Sequence, residues 1–312
     1  MKLTYVPIVF AFDNNFSIPI KVTITSLFKY ALDNTIYKVY CIVSNDIDEK
    51  NLESLIQLSK NQRHEIIFLK ANNHFNQAHV HRKITQASYY RLMLHELIPL
   101  EDKVIYADVD ILFNGDLKEL FEVDLKKNIL AGVKNLYIHQ VFDNLMLKFD
   151  YWSKYFFDLK DDYINAGFLI MNLKEIRKTK IWEKWIDLSK NQWEFHDQDI
   201  LNFTCKNKIH FLPPKYNMTY PLRENEAYKW GLFNENLLLE KPIVYHFTAS
   251  KPWHSKYLNQ SDVWWVFLKE NTDLYDYFLQ KYFKDIPFKK RFKGSFINKA
   301  VKFKQFLKKP FI

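Results

Sequence analysis

Two carboxylates, Asp108 and Asp110, follow the apolar run Ile105-Tyr106-Ala107. In an open α/β sheet, ligands gather outside the carboxyl ends of the strands. A carboxylate pair there can hold a hard divalent cation, and that cation can bridge a diphosphate. A solvated turn or a helix cap after the strand is the plainer reading of the same residues. A second polar segment, His246 to His254, follows the candidate strand Pro242–Tyr245. An imidazole beside two carboxylates shifts the preference from Mg²⁺ toward Mn²⁺. Lys251 in that segment could balance the charge of a diphosphate. A lone histidine at a strand end more often has a structural role, and the pairing with the carboxylates and Lys251 is what raises the metal reading.

An aspartate pair of this spacing also opens phosphatase sites, with the first aspartate as nucleophile. The late position of Asp108 argues against that role. Two further clusters follow. Tyr163-Ile164-Asn165-Ala166-Gly167-Phe168-Leu169-Ile170-Met171-Asn172-Leu173 is polar at its entry and apolar after, and His196-Asp197-Gln198-Asp199-Ile200-Leu201-Asn202 is a polar cluster opening a helix. Composition alone allows both to be turns or helix caps. Lys70 to Lys83 carries His74, His79 and His81 at irregular spacing. It reads as a mobile flap over a ligand rather than a second metal centre.

Several chemistries are excluded. The five glycines, Gly115, Gly132, Gly167, Gly231 and Gly294, are scattered. A dinucleotide-binding turn or a Walker-type loop needs them clustered, so a bound nucleotide must have its phosphates held by a metal or by side chains. Two cysteines, Cys41 and Cys205, make neither a disulfide framework nor a thiolate zinc site, and they fit a reducing compartment. Asp13-Asn14-Asn15 interrupts the apolar N-terminal run before a signal-peptide core forms, and no stretch is long and apolar enough to span a bilayer. A cytoplasmic protein is expected.

The elements that must position these residues alternate along the chain. Strands are expected at Tyr5–Phe12, Tyr37–Val43, His64–Leu69 and Lys103–Ala107. Helices are expected at Pro19–Tyr30, Asp48–Lys60 and Ser88–Leu97. This alternation predicts an α/β fold with a mostly parallel sheet covered by helices on both faces. The chain has 312 residues, 48% of them hydrophobic, enough for one large α/β domain.

The four polar segments, in this order and with Asp13-Asn14-Asn15 at the first strand end, resemble glycosyltransferase family 8. The likeness covers about residues 5–255 and points to its bacterial lipooligosaccharide α-galactosyltransferase branch. The resemblance implies a Rossmann-like GT-A fold and a retaining, metal-dependent transferase that uses a UDP-sugar. It implies Asp108, Asp110 and His246 as ligands of Mn²⁺, with Mg²⁺ as the alternative, and Asp108 beside the donor. It places Asp13 and Asn15 at the uracil and ribose, Lys251 at a phosphate oxygen, and Arg91 at the donor sugar and a metal-binding aspartate. Asn165, Gly167 and Asp197 fall where the family holds sugar hydroxyls, and Gln198 falls beside the β-face of the anomeric carbon. UDP-galactose is the expected donor and UDP-glucose the next. The acceptor-side aspartate of that branch has no match, since Asn135 or Leu136 stands near its place, so a different acceptor is expected.

The formal net charge is +9, and residues 281–312 hold eleven Lys/Arg against one acid, Asp285. Phe296, Ala300, Phe303 and Leu307 fall at helical spacing there, with lysines between them and Ser295 as the N-cap. A basic aromatic C-terminal helical tail of this kind suits an anionic membrane surface. Packing on the body and nucleic-acid binding are the weaker readings. The domain reading is therefore a catalytic domain over 1–270 and a membrane-association segment over 271–312. The expected partners are a UDP-hexose donor, an oligosaccharide or glycolipid acceptor and the inner face of the membrane, with no nucleic acid.

Overall fold

A computed structural model describes residues 2–60, 62–71, 74–75, 77–79, 86–219, 241–248, 251–254 and 262–284. The chain divides into two compact units, Met1–His246 and Phe247–Ile312. The tail helix expected at Ser295–Lys309 lies outside the described residues, as do His81 and Lys83 of the expected flap.

The first unit opens with β1 (Thr4–Phe12), α1 (Pro19–Lys29), β2 (Thr35–Val43), α2 (Glu49–Ser59) and β3 (Glu65–Lys70). Proline at the first position of α1 lacks only an N–H that the helix would leave unpaired. Asp48 caps α2 by accepting from Lys50 N. Next come α3 (Leu94–Leu97), β4 (Lys103–Ala107), β5 (Ile111–Phe113), α4 (Lys118–Glu122) and β6 (Leu130–Lys134). Then follow α5 (Leu136–Lys148), α6 (Asp150–Tyr155), β7 (Ile164–Asn172), α7 (Leu173–Thr179), α8 (Ile181–Leu188) and α9 (Asp197–Thr204). Three short strands close the unit, β8 (Ile209–Phe211), β9 (Met218–Thr219) and β10 (Val244–His246).

Seven strands form one sheet in the order β3-β2-β1-β4-β7-β6-β8. All neighbours are parallel except β7, which runs antiparallel to both β4 and β6. Alternate residues of β1 serve opposite faces. Val9 and Ala11 join the core that holds Trp152 and Trp185, while Ile8, Phe10 and Phe12 join the core that holds Ile20, Ile24 and Leu27 of α1. Both faces are thus buried under helices, as the sequence pattern predicts.

The expected helix over Ser88–Leu97 takes a different form. Gln86–Met93 is a 3-10 helix and only Leu94–Leu97 is α-helical. The tighter winding sets residues i and i+3 above one another, so Arg91 lies over Ser88, whose carbonyl accepts from Arg91 Nε at 2.9 Å.

A second, three-stranded sheet has the order β5-β10-β9. Its register pairs His246 with Ile111, the residue after Asp110.

In the second unit, α10 (Val263–Asn271) and α11 (Tyr275–Phe283) pack around aromatic rings. Trp253, Trp264 and Phe278 meet at centroid distances of 5.0–6.2 Å. Among the described residues no helix is long and apolar enough to cross a membrane.

Candidate active site

The site forms where β4 ends. β4 delivers Asp108, and the turn into β5 delivers Asp110. Antiparallel pairing of β10 with β5 brings His246 to the same point from more than 130 residues away. One ligand atom from each of Asp108, Asp110 and His246 lies within 4.8 Å of the others. His246 Nε2 is 3.4 Å from Asp110 Oδ1 and 3.8 Å from Asp108 Oδ2. Asp110 and His246 are buried, and Asp108 is partly open. Two carboxylate oxygens and one imidazole nitrogen form a donor set for a divalent first-row ion.

The backbone supports this grouping. β7 pairs with β4, and Asp108 N donates to Gly167 O at 2.7 Å. Gly167 faces the cluster with no side chain. A Cβ there would stand 2.1 Å from His246 Cε1 and 2.7 Å from Asp108 Oδ2. Gly167, which the family resemblance sets beside a sugar hydroxyl, is thus a position where only glycine lets the ligands converge.

Arg91 is buried and joins two acids. Its Nη2 donates to Asp108 Oδ1 at 2.9 Å, and its Nε is 3.0 Å from Asp197 Oδ2. Nη1 donates to Ala166 O, and the guanidinium lies 4.2 Å from the Tyr106 ring centre. Burial alone would lower the Arg91 pKa, but the Asp108 and Asp197 carboxylates outweigh it and hold the group above its usual range. Burial raises Asp197 to about 6, against the opposing pull of Arg91.

Asp197 opens α9 directly after His196, whose backbone has φ 50° and ψ −123°. Side chains other than glycine seldom adopt that conformation. Gln198 is held at both ends. Its Oε1 accepts from Ala166 N at 3.0 Å and its Nε2 donates to Tyr163 OH at 3.4 Å.

Asn165 Oδ1 accepts from Gly167 N at 2.9 Å and from Asn217 Nδ2 at 3.0 Å. Asn217 Oδ1 in turn lies 2.8 Å from His246 Nδ1. Asn217 escapes a sequence reading, since it lies 29 residues before its histidine. The nearest signal is Pro213-Pro214, which reads as a loop and forms the 3-10 turn that ends on Asn217.

Asp13 and Asn15 sit after β1, where Asp13 Oδ1 accepts from Asn15 N at 2.9 Å. Between them Asn14 reaches Asp46 O and Asp48 N at 2.8 and 2.9 Å, tying this end of β1 to the turn before α2. Lys251 belongs to the second unit, where its Nζ donates to Phe247 O at 2.8 Å. Asn135 caps α5 by accepting from Ile138 N.

Several known proteins are similar to this chain. A protein of Haemophilus influenzae is 30% identical over 258 residues, 80% of this chain and 73% of that one. A lipopolysaccharide 1,2-glucosyltransferase of Escherichia coli is 26% identical over 293 residues, 90% of this chain and 80% of that one. Among solved structures, the galactosyltransferase LgtC in complex with donor and acceptor sugar analogues is 26% identical with a TM-score of 0.69, covering 85% of this chain and 94% of that one. The mostly parallel sheet with flanking helices is that of the GT-A-like fold. The family model for glycosyl transferase family 8 matches residues 7–257, most of the chain and every residue of the site above, so the protein belongs to glycosyl transferase family 8.

Proposed function

We propose that this enzyme moves a hexose from a UDP-sugar to a saccharide acceptor with retention of anomeric configuration. The observation that carries the reading is the convergence of Asp108, Asp110 and His246 on one point at the carboxyl end of β4. A Mn²⁺ ion held by these three residues, with Mg²⁺ as second choice, would neutralise the departing diphosphate and so lower the barrier to cleavage of the sugar–oxygen bond.

The chain's own groups do the rest. Asp13 and Asn15 receive the uridine, and Lys251 a phosphate oxygen. Arg91 fixes Asp108 on one side and Asp197 on the other, so ligand and sugar-binding acid keep one spacing. Asn165 and Asp197 hold sugar hydroxyls. Retention needs either a nucleophile on the β-face or attack from the leaving-group side. Same-face attack fits the contacts better. Asp197 is engaged by Arg91, and Gln198 is a neutral amide whose oxygen already accepts from Ala166 N. Gln198 then serves to stabilise positive charge at the anomeric carbon, and the leaving phosphate takes the proton of the acceptor hydroxyl.

UDP-galactose is the donor we favour, because LgtC, which the chain matches over nearly all of that protein, is a galactosyltransferase. UDP-glucose is the second reading, supported by the glucosyltransferase of E. coli. That relative acts on lipopolysaccharide, which supports a lipid-linked cell-surface oligosaccharide as acceptor. The eleven Lys/Arg of residues 281–312 support a cytoplasmic enzyme resting on an anionic membrane, where each adds about 1 kcal/mol.

The test is UDP release from a panel of UDP-sugars with Mn²⁺, with and without EDTA, beside Asp110→Asn. Slow Mn²⁺-dependent hydrolysis of one UDP-hexose, lost in the variant, is expected and names the donor. Absence of turnover together with absence of metal-dependent UDP binding would overturn the reading. Sedimentation with anionic vesicles, before and after removal of residues 285–312, tests the membrane contact separately.

A further inference from the structure

We infer that Asn217 is a positioning residue that fixes the tautomer of His246 and leaves its Nε2 lone pair for the metal. The inference rests on the reading of Asp108, Asp110 and His246 as a metal site.

A backbone N–H can only donate, and Gly167 N lies 2.9 Å from Asn165 Oδ1. The Asn165 atom facing it must therefore be oxygen. That oxygen can only accept, so the Asn217 atom 3.0 Å away must be the amide nitrogen. The other arm of Asn217 is then its oxygen, and it lies 2.8 Å from His246 Nδ1. An amide oxygen there requires a proton on Nδ1. A neutral imidazole carries only one, so Nε2 is bare. Reversing either amide would set two donors or two acceptors against each other.

The direction matters because the acids alone favour the opposite outcome. Asp110 Oδ1 lies 3.4 Å from Nε2, within reach of an Nε2–H, and Asp108 Oδ2 adds its negative charge at 3.8 Å. A ring in that tautomer has no lone pair aimed at the cluster. Asn217 opposes this, and Asn165 with the Gly167 N–H holds Asn217 to its task. Asn217 is itself buried and follows a 3-10 turn begun by Pro214, so its side chain has little freedom. Partners of this kind on the far nitrogen of a ligating histidine govern ring orientation and ligand basicity.

The test compares the wild type with Asn217→Leu and Asn217→Asp. Leucine removes both ends of the relay. Aspartate keeps the acceptor for Nδ1–H. Two readouts are taken on the full chain. One is Mn²⁺ affinity by calorimetry. The other is the His246 tautomer in metal-free protein, from ¹⁵N-histidine spectra in alkaline buffer, with His246→Gln to assign the signal. We expect Nδ1–H in the wild type and in Asn217→Asp, and a shift toward Nε2–H in Asn217→Leu. Mn²⁺ affinity should fall about 10–100-fold in Asn217→Leu and much less in Asn217→Asp. A wild-type ring protonated on Nε2, or an Asn217→Leu protein with unchanged tautomer and unchanged affinity, overturns the inference alone. A wild type that binds no Mn²⁺ overturns the metal reading and this inference with it.

Discussion

Gly167 lies against His246 so closely that a methyl group on its Cα would stand 2.1 Å from Cε1 of the ring. The neighbouring threat to Asp108 Oδ2, at 2.7 Å, means that both ligands would have to withdraw. Gly167→Ala should therefore abolish measurable Mn²⁺ binding while costing about 1–3 kcal/mol of stability, the usual range for an overpacked site. Gly132→Ala is the control. Its Cβ meets the ends of Ile164 and Leu169 side chains at 2.8 and 3.0 Å, and these can turn aside. Calorimetric Mn²⁺ titration of both variants separates the two effects. Normal metal affinity in Gly167→Ala would show that the ring has room to move.

Arg91 is the second point of sensitivity. Its removal leaves Asp197 buried without its cation and frees Asp108 from one of its contacts. Breaking a buried pair from one side costs about 3–5 kcal/mol, so Arg91→Gln should lose that much at neutral pH in urea unfolding. The loss should shrink in acid, because Asp197, already raised to about 6 by burial, can then take up a proton. Arg91→Lys should not rescue, since a single ammonium cannot present separate nitrogens to Asp108 and Asp197. A loss that does not depend on pH would rule out Asp197 as its source.

The exposed tie made by Asn14 offers a milder test. It reaches Asp46 O and Asp48 N across the mouth of β1, beside Asp13 and Asn15. Asn14→Ala should cost about 1 kcal/mol of stability, the net worth of such bonds. Its larger effect should be a several-fold rise in KM for the UDP-sugar with kcat nearly unchanged. A fall in kcat at constant KM would place the residue in the chemical step instead.

How far the sequence carries these conclusions differs from residue to residue. β4 occupies Lys103–Ala107, as the apolar run before the carboxylates predicts, because a strand buried on both faces has few other readings. Residue type and the family resemblance pair Asp108 with His246 in the sequence, but no local spacing encodes the β5–β10 pairing that brings them together. Ser88–Leu97 misled, because a 3-10 helix and an α-helix share apolar spacing over so few residues and differ in hydrogen bonding. Asn217 and Asp199 were illegible as partners. Their roles depend on distant side chains, His246 in one case and Tyr163 and Tyr151 in the other.

Asp199 is wholly buried in the first turn of α9, which also carries Asp197 and Gln198. It accepts from Tyr163 OH at 2.5 Å, Phe195 N at 3.0 Å and Tyr151 OH at 3.3 Å. Burial raises its pKa to about 7 despite these three donors. The unfolded chain releases the same proton near 3.8. Between these values the native state holds more protons than the unfolded one, so stability declines as pH rises through the window. The contribution is complete below about pH 4 and lost above about pH 7, and it amounts to a few kcal/mol at most. Asn at this position cannot ionise, so Asp199→Asn should flatten the decline. Urea midpoints measured across the window for both proteins decide the matter, and parallel curves would mean that Asp199 stays ionised in the fold.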